Sequence, residues 1–253
     1  MTDELVHLHV ADGVGTITLD SPANRNALSA QLRAELRDRL EKAIADAAVR
    51  AIVLTHTGPV FCAGMDLKES RSGGGGHGVM EFPTILDLIW TSPTPVVARL
   101  AGPARAGGTG LVAACDLAVA TDSTTYAFTE VRLGLVPAVI SVVLLPRLNR
   151  PAAHELFLTG ETFSAARAVE IGLLTAAVPA GSLDAEVARY VDMLRLGAPS
   201  ALAATKQLLR PESFTERFAA MQELSARFFA GEEGQEGARS FAEKRPPSWA
   251  ATP

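Results

Sequence analysis

Twice in this chain a short β-branched run enters a glycine-bearing turn and reads onward into helix, and this repeated join constrains the fold more than any other feature. The run 51–55 leads into Phe61-Cys62-Ala63-Gly64-Met65-Asp66-Leu67, and the run 95–100 into Ala101-Gly102-Pro103-Ala104-Arg105-Ala106-Gly107-Gly108-Thr109-Gly110. A strand that turns sharply into a helix leaves backbone N–H groups without partners at the turn. Two such turns side by side can clamp one carbonyl oxygen as it becomes negative, which is what acyl-thioester chemistry requires.

The rest of the chain supplies strands and helices in the order such joins demand. Residues 5–10 and 14–19 alternate as strands, with Ala11-Asp12-Gly13 as the hairpin turn between them. Ser29 reads as an N-cap. After it Leu32, Leu36, Leu40 and Ile44 recur every four residues opposite Arg33, Arg37 and Glu41, an amphipathic helix lying on a sheet. Further strands are expected at 116–121 and 173–178, so the class is α/β with crossover connections. From Ser182 onward the strand signal disappears, and helices are expected at 183–196, 199–209, 212–230 and 232–244. Leu202, Leu208, Leu209, Phe214, Phe218, Leu224, Phe228 and Phe229 are too many large apolar side chains for a solvated tail. The run 70–78, Ser-Arg-Ser-Gly-Gly-Gly-Gly-His-Gly, has too little apolar content to pack and is expected to be a mobile loop.

Several function classes are excluded on the same page. Net charge is −5, and the basic residues are scattered through helical stretches, so no nucleic-acid partner is expected. Gly108-Thr109-Gly110-Leu111-Val112-Ala113 matches a dinucleotide fingerprint, but only the six residues 111–116 precede the next strand. A βαβ crossover needs at least about 10–12 residues. The tract Gly73–Gly76 follows no strand and lacks the Gly-Lys-Ser/Thr ending of a phosphate loop. His7, His9, His56, His77 and His154 show no ligand spacing with acidic neighbours, so no metal site is expected, and His7 and His9 read as the outer face of the first strand. No apolar run reaches the roughly 18 residues of a membrane span. With an acidic start, Met1-Thr2-Asp3-Glu4, and two cysteines, Cys62 and Cys115, in apolar surroundings, the expected location is the cytoplasm, with no membrane partner.

A third element, Tyr126-Ala127-Phe128-Thr129-Glu130-Val131-Arg132-Leu133-Gly134-Leu135-Val136-Pro137, joins the two turns. With it the chain resembles the crotonase superfamily, the enoyl-CoA hydratase/isomerase family, over nearly its whole length. Pro22-Ala23-Asn24-Arg25-Asn26-Ala27-Leu28-Ser29 looks like the family's N-A-L motif, residues 61–67 its F-C-A-G-x-D-L turn, 102–116 its second glycine turn and helix, and 161–173 its T-G-E-x-x-x-A-x-x-A-x-x-x-G-L stretch. The resemblance implies an α/β crotonase (ClpP/crotonase-like) fold of repeated ββα units at 1–180 carrying the acyl-CoA site. It also implies a C-terminal helical oligomerisation region at 181–253, forming a homotrimer or dimer of trimers.

Carried onto this sequence, the resemblance places two oxyanion-binding amides at Met65 and Gly107 and a catalytic acid/base at Glu130. Read by its neighbours alone, Glu130 is a solvated carboxylate beside Arg132; held among Phe128, Val131, Leu133, Leu135 and Val136, it would have a raised pKa suited to proton transfer. Two-carboxylate hydratases of the family carry a second Glu where this chain has Gly110. Asp116 and Asp122 are read as structural. Coenzyme A is implied as part of the substrate, with no tightly bound cofactor. Arg25, Ala27 and Leu28 would border its pantetheine or phosphates, and Ala63, Asp66 and Leu67 its adenine and pantetheine arm; Phe241 and Lys244, on one face of the C-terminal helix, would contact coenzyme A, often that of a neighbouring subunit in the family. Lys244 and Arg245 also fit a plain helix C-terminus closed by Pro246-Pro247. The implied activity is hydration of a 2-enoyl-CoA; isomerisation of a 3-enoyl-CoA with one Glu is the alternative, and a non-catalytic acyl-CoA binder or assembly subunit is the alternative of another class. Acyl-chain selection is expected from 70–78, 79–90 and the helix 138–145.

Overall fold

In the computed structural model, residues 4–66, 69, 75–209 and 215–250 are described, with backbone alone at 75–80 and 215–216. Leu67, residues 70–74 of the expected loop, and Phe214 lie outside them. The main sheet has the order β1-β2-β3-β4-β6-β9. β1 (Val6–Ala11) and β2 (Val14–Leu19) form an antiparallel hairpin whose turn residues Asp12 and Gly13 both have positive φ, 50° and 77°. That pair of left-handed residues matches the right-handed twist of the strands it joins. β2, β3 (Ala51–His56), β4 (Val96–Leu100), β6 (Leu117–Thr121) and β9 (Ala176–Val178) then run parallel.

Every residue of β3 is buried, as a parallel strand covered on both faces must be. One face, with Ile52, Leu54, Ala98 and Ala120, packs into the main core beneath α1 (Ala30–Ala45) and α2 (Gly75–Thr91). The alternate residues Ala51, Val53, Val97 and Val119 face the helix Leu183–Leu196, which covers them with Leu183, Val187 and Val191. The period of two along each strand thus sorts the residues between two helical layers.

Ser29 caps α1, its hydroxyl accepting from the Leu32 amide, and Leu32, Leu36 and Leu40 are wholly buried. Arg33 departs from the expected polar face. It is 3% exposed, donates to the Leu28 carbonyl oxygen at 2.6 Å and pairs with Glu81 of α2, because α2 packs across that side of α1. The second correction is at 75–78, expected in the mobile loop: these residues open α2.

A second, three-stranded sheet of β5 (Ala104–Arg105), β7 (Thr125–Ala127) and β8 (Phe163–Ser164) has no counterpart in the expected elements. Strands of two or three residues are too short to display a period. The remaining helices are α3 (Gly107–Ala114), α4 (Ala138–Leu144), α5 (Arg150–Thr159), α6 (Ala165–Glu170), α7 (Leu183–Leu196), α8 (Pro199–Leu208), α9 (Thr215–Ala230) and α10 (Glu232–Glu243). α9 packs on α2 and α4, and α10 on the 3-10 turn Glu130–Leu133. Among the described residues no helix is long and apolar enough to cross a membrane.

Candidate active site

Four segments lie edge to edge, and their main-chain hydrogen bonds build the site. The Ala63 amide donates to the Arg25 carbonyl at 3.1 Å and the Leu28 amide to the Gly64 carbonyl at 2.8 Å, joining the first segment to the second. Phe61 donates to Pro103 and Arg105 to Cys62, both at 3.0 Å, joining the second to the third. Ala106 donates to Ala127 at 3.1 Å, joining the third to the segment that continues into Glu130. The two glycine turns are therefore neighbours.

Gly64 has φ +90°, and a Cβ there would lie 3.0 Å from the Ala106 Cβ and 3.4 Å from the Gly107 amide nitrogen. Only glycine combines that dihedral with so close an approach. Met65 follows it, and Gly107 opens α3, where the first amides have no partner within the helix. Neither the Met65 nor the Gly107 amide donates to any group among the described residues. Both residues border one cavity of about 700 Å³.

Glu130 borders the same cavity, at the start of the turn Glu130–Leu133. Its Oε2 is buried and has no hydrogen-bond partner among the described residues, and desolvation pushes its pKa up to about 7 against a smaller opposing contribution from its own backbone amide. The walls are largely apolar: Phe82 of α2, Leu133 of the turn and Leu135 just after it, Val139 and Ile140 of α4, and Phe229 of α9. Val139 and Ile140 fall in the expected acyl-selecting helix.

Of the expected cofactor-contacting residues, Arg25, Ala27, Ala63, Asp66 and Phe241 border this cavity. Arg25 is exposed at the rim, and Asp66 accepts from the Asn24 amide group at 2.7 Å. Two others do not reach it. Leu28 is fully buried, its side chain packed against Gly107, because the segment around it is pulled into the sheet-like ladder. Lys244 is the left-handed C-cap of α10, φ 53°, so it leaves the helical face that carries Phe241. Its neighbour Arg245 pairs instead with Glu236, whose carboxyl is thereby held down at about 2. Leu67 lies outside the described residues.

Three residues that frame the site were given no role in the sequence, although Asn26 is the first residue of its N-A-L motif. Buried Asn26, at φ 50°, accepts from the Ser21 amide and donates to the carbonyls of Thr57 and Val60, which pins the Arg25 to Leu28 loop to the turn after β3. Asn tolerates that left-handed conformation, which gives its place in the motif a physical reason. Arg105 borders the cavity but spends its guanidinium on Thr125, tying β5 to β7. Ile140 sits over Gly110: a Cβ on that glycine would lie 2.7 Å from the Ile140 methyl. The position of a second carboxylate is therefore filled by packing. Asp116, as expected, is structural, accepting from the Val96 amide and the Lys206 ammonium. Among the described residues no group of His, Cys, Asp and Glu is arranged to hold a metal ion.

The fold, with its paired strand-to-helix turns and helical C-terminal region, is of the crotonase class. The chain matches the Enoyl-CoA hydratase/isomerase family over residues 9–252. Human enoyl-CoA hydratase domain-containing protein 3, mitochondrial, is 34% identical to it, over 96% of this chain and 82% of the relative. Enoyl-CoA hydratase EchA19 of Mycobacterium tuberculosis is 31% identical, over 92% and 91%. A crystal structure of an enoyl-CoA hydratase from Mycobacterium avium, 42% identical, superposes with a TM-score of 0.88, covering 98% of this chain and all of that one. This chain belongs to the enoyl-CoA hydratase/isomerase family, whose enzymes are of the hydratase or isomerase type.

Proposed function

We propose that this protein adds water to a 2-enoyl-CoA, with the Met65 and Gly107 amides receiving the thioester oxygen and Glu130 moving the proton. One observation carries the reading: a buried carboxyl oxygen without a partner borders the same apolar cavity as two unused turn amides. The amides polarise the carbonyl, and each such donor is worth roughly 2.7–4 kcal/mol of barrier. Ionised Glu130 takes a proton from water as the water oxygen adds to C3, leaving an enolate on the thioester. Protonated Glu130 then returns that proton to C2, so the substrate gains H and OH and the carboxylate is restored.

Coenzyme A enters as part of the substrate in this reading, with no separate bound cofactor. Arg25 at the rim meets its pantetheine or phosphates, Ala27, Ala63 and Asp66 its pantetheine arm and adenine, and Phe241 of α10 contacts it from the cavity wall. A homotrimer or dimer of trimers through the C-terminal helices would cover Leu196, Leu208 and Leu209, all strongly exposed in one chain; sedimentation decides it. A cytoplasmic location belongs to the same proposal, and cell fractionation tests it against the mitochondrial naming of the human relative.

The packing of Ile140 over Gly110 favours a second reading, isomerisation of a 3-enoyl-CoA. There Glu130 takes a proton from C2 and returns it to C4 as the double bond moves, a task for which one carboxylate suffices. The test is absorbance of the conjugated thioester: hydration removes it from 2-enoyl substrates, and isomerisation creates it from 3-enoyl substrates. Glu130→Gln is expected to lower either rate by about 10²–10⁴-fold while sparing substrate binding. Unchanged rates would overturn the assignment of Glu130, and silence with both substrate sets would leave a non-catalytic acyl-CoA binder.

A further inference from the structure

The turn that carries Glu130 is seated against α10 through glycine on both sides. A Cβ on Gly237 would lie 2.0 Å from the Leu133 carbonyl oxygen and 2.4 Å from its carbonyl carbon. In return, a Cβ on Gly134, at φ +66°, would lie 2.5 Å from the Glu233 carbonyl carbon and oxygen. Neither clash is with a side chain that could swing away, so each glycine admits the other element's backbone. Gly234 makes the same kind of contact with the Phe228 carbonyl, which closes α10 tightly onto α9. From that seat α10 puts Ala238, Phe241 and Ala242 on the wall of the cavity that Glu130 borders. On the opposite side Arg132 donates to the Thr159 carbonyl at the end of α5, so the turn is held between two helices.

The charged groups on these elements are engaged elsewhere or face solvent. On α10, Glu236 is taken up by Arg245 and Arg239, and Glu233 is exposed. On α5, Glu155 pairs with Arg167 and His154 is exposed. Around the cavity Asp66 accepts from Asn24, Arg105 binds Thr125 and Arg25 stands at the exposed rim.

We propose that Gly237 and Gly134 are positioning residues: through their reciprocal backbone contact, α10 of the same chain holds the Glu130 turn in place and shields its carboxyl from bulk solvent on that side. This rests on the proposed role of Glu130 only where activity is concerned; shielding of the carboxyl from bulk solvent can be read separately. Adding a methyl group in Gly237→Ala must lift α10 from Leu133, opening that side of the Glu130 carboxyl to bulk solvent.

The test is a titration of the Glu130 carboxyl by NMR of protein labelled with ¹³C at glutamate side-chain carboxyls, its signal assigned by its loss in Glu130→Gln. In the wild type the midpoint is expected near 7. In Gly237→Ala it is expected to fall by about one pH unit or more toward the ordinary carboxylate range. Gly181→Ala, where an added Cβ meets nothing within 4 Å, is expected to leave it unmoved. Should Gly237→Ala not fold, Phe241→Ala opens the same wall without a clash and is expected to shift the midpoint in the same direction by less. A folded Gly237→Ala with an unchanged midpoint, or a wild-type midpoint near 4.5, overturns the inference. A midpoint that falls while the pH profile of turnover stays put keeps the seat and overturns instead the catalytic role of Glu130.

Discussion

Two buried titratable residues, Glu130 and His56, make stability depend on pH in opposite directions. Glu130 keeps its proton to about pH 7 in the folded chain, whereas an unfolded glutamate gives it up near 4.5. Between those values the folded state binds more protons than the unfolded state, so this carboxyl makes stability fall as pH rises through the window. Glu130→Gln is therefore expected to melt higher than wild type at pH 8, with the difference closing toward pH 4.5; calorimetry across that range checks it. Turnover, which needs the ionised form, is expected to rise through the same window. His56 is the reverse case. Its Nε2 accepts from the Ala101 amide at 3.1 Å and its Nδ1 lies 3.2 Å from the Thr57 carbonyl, so the neutral ring bridges the ends of β3 and β4, and burial lowers its pKa below 6.5. Stability from the neutral ring is present above 6.5 and lost as pH falls below it. His56→Gln is expected to lose less melting temperature than wild type between pH 7.5 and 5.5.

At the scale of elements, the glycine turns work because backbones approach where side chains would stand. Gly64→Ala forces a left-handed alanine against Ala106 and Gly107, at a cost above about 1 kcal/mol, and is expected to reduce turnover far more than it reduces melting temperature. Gly110 shows the same geometry with another consequence. Gly110→Glu alone is expected to destabilise the chain, because the new Cβ meets Ile140 at 2.7 Å. Paired with Ile140→Ala it gains room, and the double variant is expected to hydrate 2-enoyl substrates faster than Ile140→Ala alone. The order of elements was legible from alternation and from the four-residue recurrence in α1, and β2 has the expected bounds. β5, β7 and β8 were not, since their pairing is a property of segments brought together, with too few residues in each to leave a pattern.

Across the whole molecule, α8 is tied to the main sheet by a partly buried ion pair. Lys206 of α8, 7% exposed, donates to Asp116 at 2.6 Å and to the Thr94 carbonyl at 3.2 Å, next to the first residues of β4 and β6. Lys206→Met removes the cation beside Asp116, which keeps the Val96 amide, and the loss of stability is expected below the roughly 3–5 kcal/mol of a fully buried pair, because Asp116 also keeps 22% exposure; urea denaturation measures it. Sequence by itself determined the local quantities: the alternation that makes strands, the cap at Ser29, the two turns that must be glycine, and an acid at 130 followed by apolar residues. These are legible because each depends on neighbours along the chain. Tertiary structure alone decided that Arg33 turns inward, that Leu28 packs beneath Gly107, that Ile140 fills the space at Gly110, and that α10 closes over the turn of Glu130. Those outcomes depend on which surfaces meet at ångström distances, and linear spacing does not encode them.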